Sequence, residues 1–445
     1  MVLSSCAGSG SSATTTVGPS TTLFNFDPPT VAPPSVAPGE STSVPAAPAG
    51  WSVDTSSCVD PARAEQPIEG EVKVGSVMPL SGGPAAAFQP VVDGFKLYLS
   101  YADEHGLLPG FALSADIRDD QYDSTQTAGV VDGLIDDGVD LFAGMIGTPN
   151  NLAARDVLNE ECIPQLLALT GSPAWGEAAD YPWTTGALVP YGIEASIYAT
   201  KLSELQPNAK VATYSVANEF GQTYVDAFKA KAAELGLEIV DEQTIEPDAV
   251  DPPTAQVGSI AGKKPDAVVA FPLGLQCPAF LTELDAARAQ NQGWTPAVFV
   301  TNTCASKLFF GLAGPAGDGV YTSNHLFDVN DPRHASQPGV KTFLNEYATA
   351  AIPGDPAVIE AGWTVGELTV AILVEALKSG TLSRKSIIGA ARTMTYIPML
   401  ARPSVQYKMR GVDDVYAFQT LQVLQWNVDS QTFTEAGDPI AAFES

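Results

Sequence analysis

From Glu71 onward, short apolar runs alternate with stretches in which apolar residues recur at three- and four-residue spacing. Residues 72–79 read as a buried strand, and 86–105 as an amphipathic helix stopped by Gly106. Strand 111–117 follows, then a helix over 124–137 with Ser124 as its cap, and strand 141–143. Pro149 suits the first turn of a helix over 149–161, and 165–169 closes this series as a strand. After 181–188 the alternation restarts: helices 193–205, 222–235, 254–261 and 278–289 interleave with strands 210–215, 237–243, 267–271 and 297–300. Two further helices, 340–350 and 357–378, precede a β-rich tail ending in strand 421–428. Strand and helix in alternation predict parallel sheets covered on both faces. The repetition predicts an α/β protein of two αβα Rossmann-like lobes, with a ligand crevice at the carboxyl ends of their strands.

Composition narrows the function classes. The chain has 445 residues, 45% of them apolar, enough to bury a core over most of its length. Its 22 Lys and Arg against 51 Asp and Glu leave a formal charge of −29. That balance argues against nucleic-acid partners and against binding an anionic lipid surface, because both need clustered basic residues. The three histidines and five cysteines show no metal-ligand spacing, so no metal is expected. No Gly-x-Ser-x-Gly elbow occurs. The run 258–264 has the wrong spacing for a phosphate loop, with Lys264 in place of the magnesium-binding hydroxyl, and reads as an exposed helix end. The glycine-rich run 311–319 neither follows a clear strand nor opens a helix, so no cofactor is expected. The acid pairs Asp119-Asp120, Asp136-Asp137 and Asp413-Asp414 read as solvated surface. No enzyme activity is expected from this set of residues.

Residues 7–56 are built from Ser, Thr, Pro, Ala and Gly, a composition that favours extended, solvated backbone, and residues 1–65 are assigned to a tether. At its head, Leu3-Ser4-Ser5-Cys6 resembles the lipobox of bacterial lipoproteins, which would make Cys6 the lipidated residue. Only Met1 and Val2 precede it, so either the apolar leader lies upstream of this start or the box is a chance match. No later segment offers ~20 uninterrupted apolar residues. If Cys6 is lipidated, four cysteines remain, with three possible connectivities. Cys277 and Cys304 each lie just past a predicted strand and can meet at neighbouring strand ends, which leaves Cys58 with Cys162; free buried thiols are the alternative.

Two strand ends run into Thr148-Pro149 and Thr170-Gly171-Ser172-Pro173. Hydroxyls beside the free N–H groups of a helix start suit a carboxylate or other anionic oxygen; simple N-capping is the alternative.

In order along the chain, Val74-Gly75-Ser76-Val77-Met78-Pro79-Leu80-Ser81-Gly82, Ile117-Arg118-Asp119-Asp120-Gln121, Leu134-Ile135-Asp136-Asp137-Gly138-Val139-Asp140, Phe220-Gly221-Gln222 and Pro265-Asp266-Ala267-Val268 resemble the type I periplasmic binding proteins. The similarity is to their branched-chain amino acid and amide group, which serves ABC importers, and spans residues 71–430. The resemblance implies two lobes joined by three crossovers, lobe one being 66–188 plus 325–405 and lobe two 189–324 plus 406–445. It implies hinge closure on a ligand held by Thr148 and by Leu169, Thr170, Gly171 and Ser172, with Phe220 and Trp363 packing on it. Phe88 stands about where the family often has Gly, which would narrow the mouth. Phe88, Phe220, Leu273 and Trp363 would form an apolar wall opposite the hydroxyls, with Asn302 and Thr303 on the loop after strand 297–300. Amino acid binders of the group carry an acid on that loop, whereas this chain has Thr301-Asn302-Thr303-Cys304, which disfavours free leucine unless Glu194 or Glu219 meets the ammonium. The implied ligand is small and partly hydrophobic with a carboxylate or amide end. The implied protein is a monomeric, extracytoplasmic lipoprotein delivering solute to an ABC permease, or a surface sensor using the same cleft.

Overall fold

The computed structural model describes residues 51–82 and 85–443. Cys6 and most of the expected tether lie outside them. Residues 51–65, which composition had assigned to the tether, are instead packed: Val53 and Cys58 are buried, and a short helix α1 (Pro61–Glu65) is capped by Asp60. Cys58 is bonded to Cys162, and Cys277 to Cys304. The disulfide at Cys58 and the Trp51 indole beside the Arg392 guanidinium hold this segment where its composition alone would not.

The first sheet has the order β2-β1-β3-β4-β5, all parallel, from β1 (Glu71–Met78), β2 (Ala112–Asp119), β3 (Leu141–Ala143), β4 (Gln165–Ala168) and β5 (Thr184–Gly186). Helices α2 (Ala85–Glu104), α3 (Ser124–Asp136) and α4 (Thr148–Glu160) connect these strands. The cap of α3 is Asp123, whose carboxylate accepts from the Thr125 N–H at 2.9 Å, so Ser124 is the first helical residue and not the cap.

After β5 the chain crosses to the second lobe through α5 (Tyr191–Leu205). Its strands are β6 (Lys210–Val216), β7 (Glu238–Ile245), β8 (Ala267–Phe271), β9 (Ala297–Val300) and β10 (Tyr321–Asn324), linked by α6 (Glu219–Glu234), α7 (Thr254–Lys263), α8 (Gln276–Gln290) and α9 (Lys307–Ala313). The chain then returns to the first lobe for α10 (Pro338–Ala350), α11 (Pro356–Leu377) and α12 (Arg384–Ala391). A ribbon of β11 (Thr395–Tyr396) and β12 (Tyr407–Lys408) follows, carrying residues from both sides of the expected 405/406 boundary. A third crossing delivers β13 (Gln422–Asn427) and β14 (Thr432–Glu435) to the second sheet, whose order is β14-β13-β10-β9-β8-β6-β7. That sheet is parallel up to β10 and antiparallel beyond it.

The run 258–264 is the end of α7, as expected, and 311–319 forms the end of α9 and a 3₁₀ turn. By length and composition α11 is the one helix among the described residues apolar enough to cross a bilayer, but acids interrupt its apolar run; here it is a core helix, mostly buried and packed along α2. It contains two buried acids, Glu360 and Glu367.

Glu367 accepts from Tyr396 Oη at 2.8 Å and from the Met399 N–H, yet burial outweighs these bonds and pushes its carboxyl up to about 7 from an ordinary 4.5. The folded state therefore holds this proton more tightly than the unfolded one. The stabilisation is complete below about pH 4.5 and is lost as pH rises to about 7, on the order of 3 kcal/mol. Relative to wild type, Glu367→Gln is expected to gain that amount in urea denaturation between pH 4.5 and 7. A constant difference across that window would contradict it.

Candidate functional site

A cavity of about 170 Å³ lies between the two lobes. The first lobe contributes Ala87, Phe88 and Val91 from α2, Tyr122, Gly147 and Thr148 at the start of α4, Leu169 after β4, and the first turns of α11. From the second lobe come Phe220, Leu273, Asn302, Thr303 and Phe309, while Leu188, Tyr191 and residues 324–326 stand at the crossovers. A second chamber of about 110 Å³ shares Ala87, Phe88, Tyr122, Leu273 and Gly274 with the first and reaches Tyr214 and Ile245.

Each wall is set by local structure. Gly147 caps α4 at φ 100°, in the left-handed region, and a Cβ there would stand 2.4 Å from Asn150 Oδ1 and 2.8 Å from the Tyr122 ring. Only glycine lets the α4 N-terminus approach the cavity with Thr148 in its first turn. Thr148 Oγ1 lies 2.8 Å from Thr170 Oγ1 and 3.3 Å from Tyr191 Oη, so a hydroxyl chain runs along this wall. The Tyr191 ring stacks on Tyr224 at 4.3 Å and meets Phe220 edge-on at 5.2 Å.

The pair Asp119-Asp120, expected as solvated surface, instead pins the mouth. Asp119 accepts from the Leu80 and Ser81 N–H groups and from the Ser81 hydroxyl. Asp120 is fully buried and accepts from Thr127 Oγ1 at 2.7 Å, Asn150 Nδ2 at 2.8 Å and the Tyr122 N–H at 3.0 Å. These bonds hold Tyr122 at φ 62°, with its ring parallel to Phe88 at 6.0 Å. Asp136 and Asp137 are exposed, as expected, with Asp137 paired to Arg118; in the third pair Asp413 is exposed, whereas Asp414 is buried and accepts from Gln419.

Glu194 lies beneath the site, fully buried. One carboxylate oxygen accepts from Tyr198 Oη at 2.6 Å, the Asn302 N–H at 2.7 Å and Ser323 Oγ at 2.9 Å; the other accepts from Tyr224 Oη. Burial raises its carboxyl and these donors oppose the rise. Glu360 and His325 differ, because both line the cavity and each has a buried polar atom, Oε2 and Nδ1 respectively, with no protein partner. Burial pushes the His325 imidazole down to about 4, so it is neutral at physiological pH.

The sequence profile of the family described as "Periplasmic binding protein" matches residues 71–431. This chain belongs to that family. Periplasmic binding proteins of the type I fold are its structural neighbours. A solute-binding protein of an ABC transporter from R. palustris, in complex with benzoate, superposes with a TM-score of 0.69 at 21% identity, covering 84% of this chain and 98% of the other. A branched chain amino acid ABC transporter protein from Thermus thermophilus with bound valine gives 0.73 at 19% identity, covering 84% and 97%. A fatty acid ABC transporter substrate-binding protein from Thermomonospora curvata gives 0.70 at 18%, covering 85% and 95%. A search of curated proteins gave no match.

In this periplasmic binding protein Thr148, Leu169, Phe88, Phe220, Leu273, Asn302 and Thr303 all line the cavity. Four expected contacts do not. Trp363 is fully buried one turn deeper along α11, edge-on to Tyr98 at 4.8 Å and with Nε1 3.3 Å from Met399 Sδ. Thr170 supports Thr148 from behind and accepts from the Ser172 N–H. Gly171 is packed against Tyr191 and the Val189 carbonyl, and Ser172 caps the short turn Pro173–Gly176, the simple capping alternative. Glu194 has both oxygens committed to protein donors, and Glu219 is exposed and is not part of the cavity lining. Tyr122, Tyr191, His325 and Glu360 line the site without having been singled out for it. Of these, Glu360 had a visible signal, since it is one of few charged residues in an otherwise apolar helical run.

Proposed function

We propose that this periplasmic binding protein is the lipid-tethered solute receptor of an ABC importer, working outside the cytoplasm as a monomer and handing its ligand to a permease. The ligand is a small, partly hydrophobic molecule with a carboxylate or amide end, held without covalent chemistry. The observation that carries this reading is the inter-lobe cavity, whose apolar and aromatic walls face the Thr148 hydroxyl at the positive end of α4. Benzoate, valine and fatty acids, the ligands of the three relatives above, each join a carboxylate to an apolar body. Contacts from both lobes favour the closed arrangement, which gives ligand binding its mechanical output.

A thermal-shift panel of amino acids, 2-oxo acids, aromatic acids and amides tests it. At least one class is expected to raise the melting temperature in a dose-dependent way. Thr148→Val and Phe220→Leu are expected to weaken that compound roughly tenfold each in calorimetric titration, from loss of one hydrogen bond or of apolar contact. A protein that no compound shifts, and from which mass spectrometry recovers no small molecule, would overturn the reading.

A further inference from the structure

The charged chemistry of the cavity is one-sided. Among the described residues that line it there is no Lys or Arg, and the groups other than tyrosine able to titrate are Glu360 and His325. Glu360 lines the cavity and is 2% exposed, and its Oε2 is buried without a protein donor. Its remaining bond is from the Val329 backbone.

The surroundings deepen the imbalance. Asp328 and Asp355 add negative charge beside Glu360. Asp355 is saturated by Leu308 N–H, Asn330 Nδ2 and Ala357 N–H, whereas Asp328 Oδ2 is buried without a partner. The cation that acts on Glu360, Arg402, has bonds elsewhere: its Nε donates to the Leu326 carbonyl at 2.7 Å and Nη1 to Glu435 at 3.2 Å. A buried carboxyl lacking a donor is costly, and a partner brought by the ligand removes that cost. The faces of Phe88, Tyr191, Phe220 and Phe309 around the same space suit a cation as well as an apolar body.

Building on the proposed solute-receptor role, we infer that Glu360 is a ligand-reading carboxylate and that the solute carries an ammonium group which it receives. The loop after β9 has no acid, so recognition of the amine falls to the opposite wall, on α11. A zwitterion then fits both poles, with its carboxylate toward the α4 N-terminus and its ammonium toward Glu360. Burial first, then Asp328 and Asp355, raise the Glu360 carboxyl well above the usual range, against the opposing pull of Arg402. Receiving an ammonium therefore displaces a proton, with neutral His325 the other titrating group on the wall.

The test compares the intact protein with Glu360→Gln, using L-leucine against 4-methyl-2-oxopentanoate and L-phenylalanine against 3-phenylpropanoate. The solute recovered from natively purified protein is identified by mass spectrometry. An amine-bearing compound is expected to be the binder or the recovered solute, with about one proton released per ligand when titrated in buffers of different ionisation enthalpy. Glu360→Gln is expected to weaken it roughly thirtyfold or more and abolish the proton release, while melting at least as high as wild type without ligand. An amine-free solute bound as tightly by wild type as its amine counterpart, with Glu360→Gln indifferent, overturns this inference and leaves the receptor role standing. If no solute of either kind binds or is recovered, the receptor role itself fails and the inference falls with it.

Discussion

Replacing Gly362 by alanine is expected to cost about 3 kcal/mol or more and to disorder the ligand site with it. A Cβ at Gly362 would stand 1.8 Å from the Val91 carbonyl oxygen and 2.7 Å from the Phe95 nitrogen. Across the same crossing, a Cβ at Gly94 would lie 1.9 Å from the Ile359 carbonyl oxygen, and one at Gly366 would lie 2.7 Å from Tyr98 Cβ. The obstacles are mostly backbone, so no rotamer change relieves them, and α2 and α11 must separate. Those two helices carry Phe88 and Val91 on one side of the cavity and Ala357, Val358 and Glu360 on another. The variant should therefore lose affinity along with its denaturation midpoint. Gly258→Ala in α7 is the control, since a Cβ there meets nothing within 4 Å; it should be neutral or gain up to about 1 kcal/mol. A Gly362→Ala protein within 1 kcal/mol of wild type would show that the helices do not meet this closely.

The second large effect is expected from opening the Cys58–Cys162 bond. It closes a span of 104 residues, for which the chain-entropy account gives about 4.7 kcal/mol, against roughly 3.6 kcal/mol for the span of 27 closed by Cys277 and Cys304. Besides the packing of Trp51, Val53 and Ala64, the polar ties at this end are modest: the Val59 N–H bonds the Glu160 carbonyl at 2.9 Å, and Lys385 pairs with Glu65. A Cys58→Ser, Cys162→Ser double variant should thus lose on the order of 4 kcal/mol in guanidinium denaturation. Its residues 51–65 should be cut early by protease while the remainder survives. An unchanged midpoint together with an uncut segment would reject this account.

The alternation of apolar runs was enough to find β3, β8 and β9 at their observed bounds, because each is a short run of buried apolar residues. It failed at β10. That strand reads Tyr-Thr-Ser-Asn, yet Thr322 and Ser323 are fully buried, their hydroxyls satisfied by the Thr301 carbonyl and by Glu194. A polar strand inside a sheet leaves no hydrophobic period to detect. Helix α12 was missed for a related reason, since Arg384 is buried with its guanidinium on the Val139 and Asp140 carbonyls. At the site, motif order located the α4 start and Phe220, where local geometry follows from Gly and Pro. Trp363 was misplaced because α11 is buried on nearly every face, so apolar spacing does not say which face meets the cleft. His325 and Tyr191 belong to no local motif, and crossings of the chain bring them together.

The parallel pair Phe88 and Tyr122 borders both chambers, and only one of the two rings is fastened through its backbone to a buried acid. Because both rings wall both chambers, trimming Phe88 to alanine would widen the two spaces together.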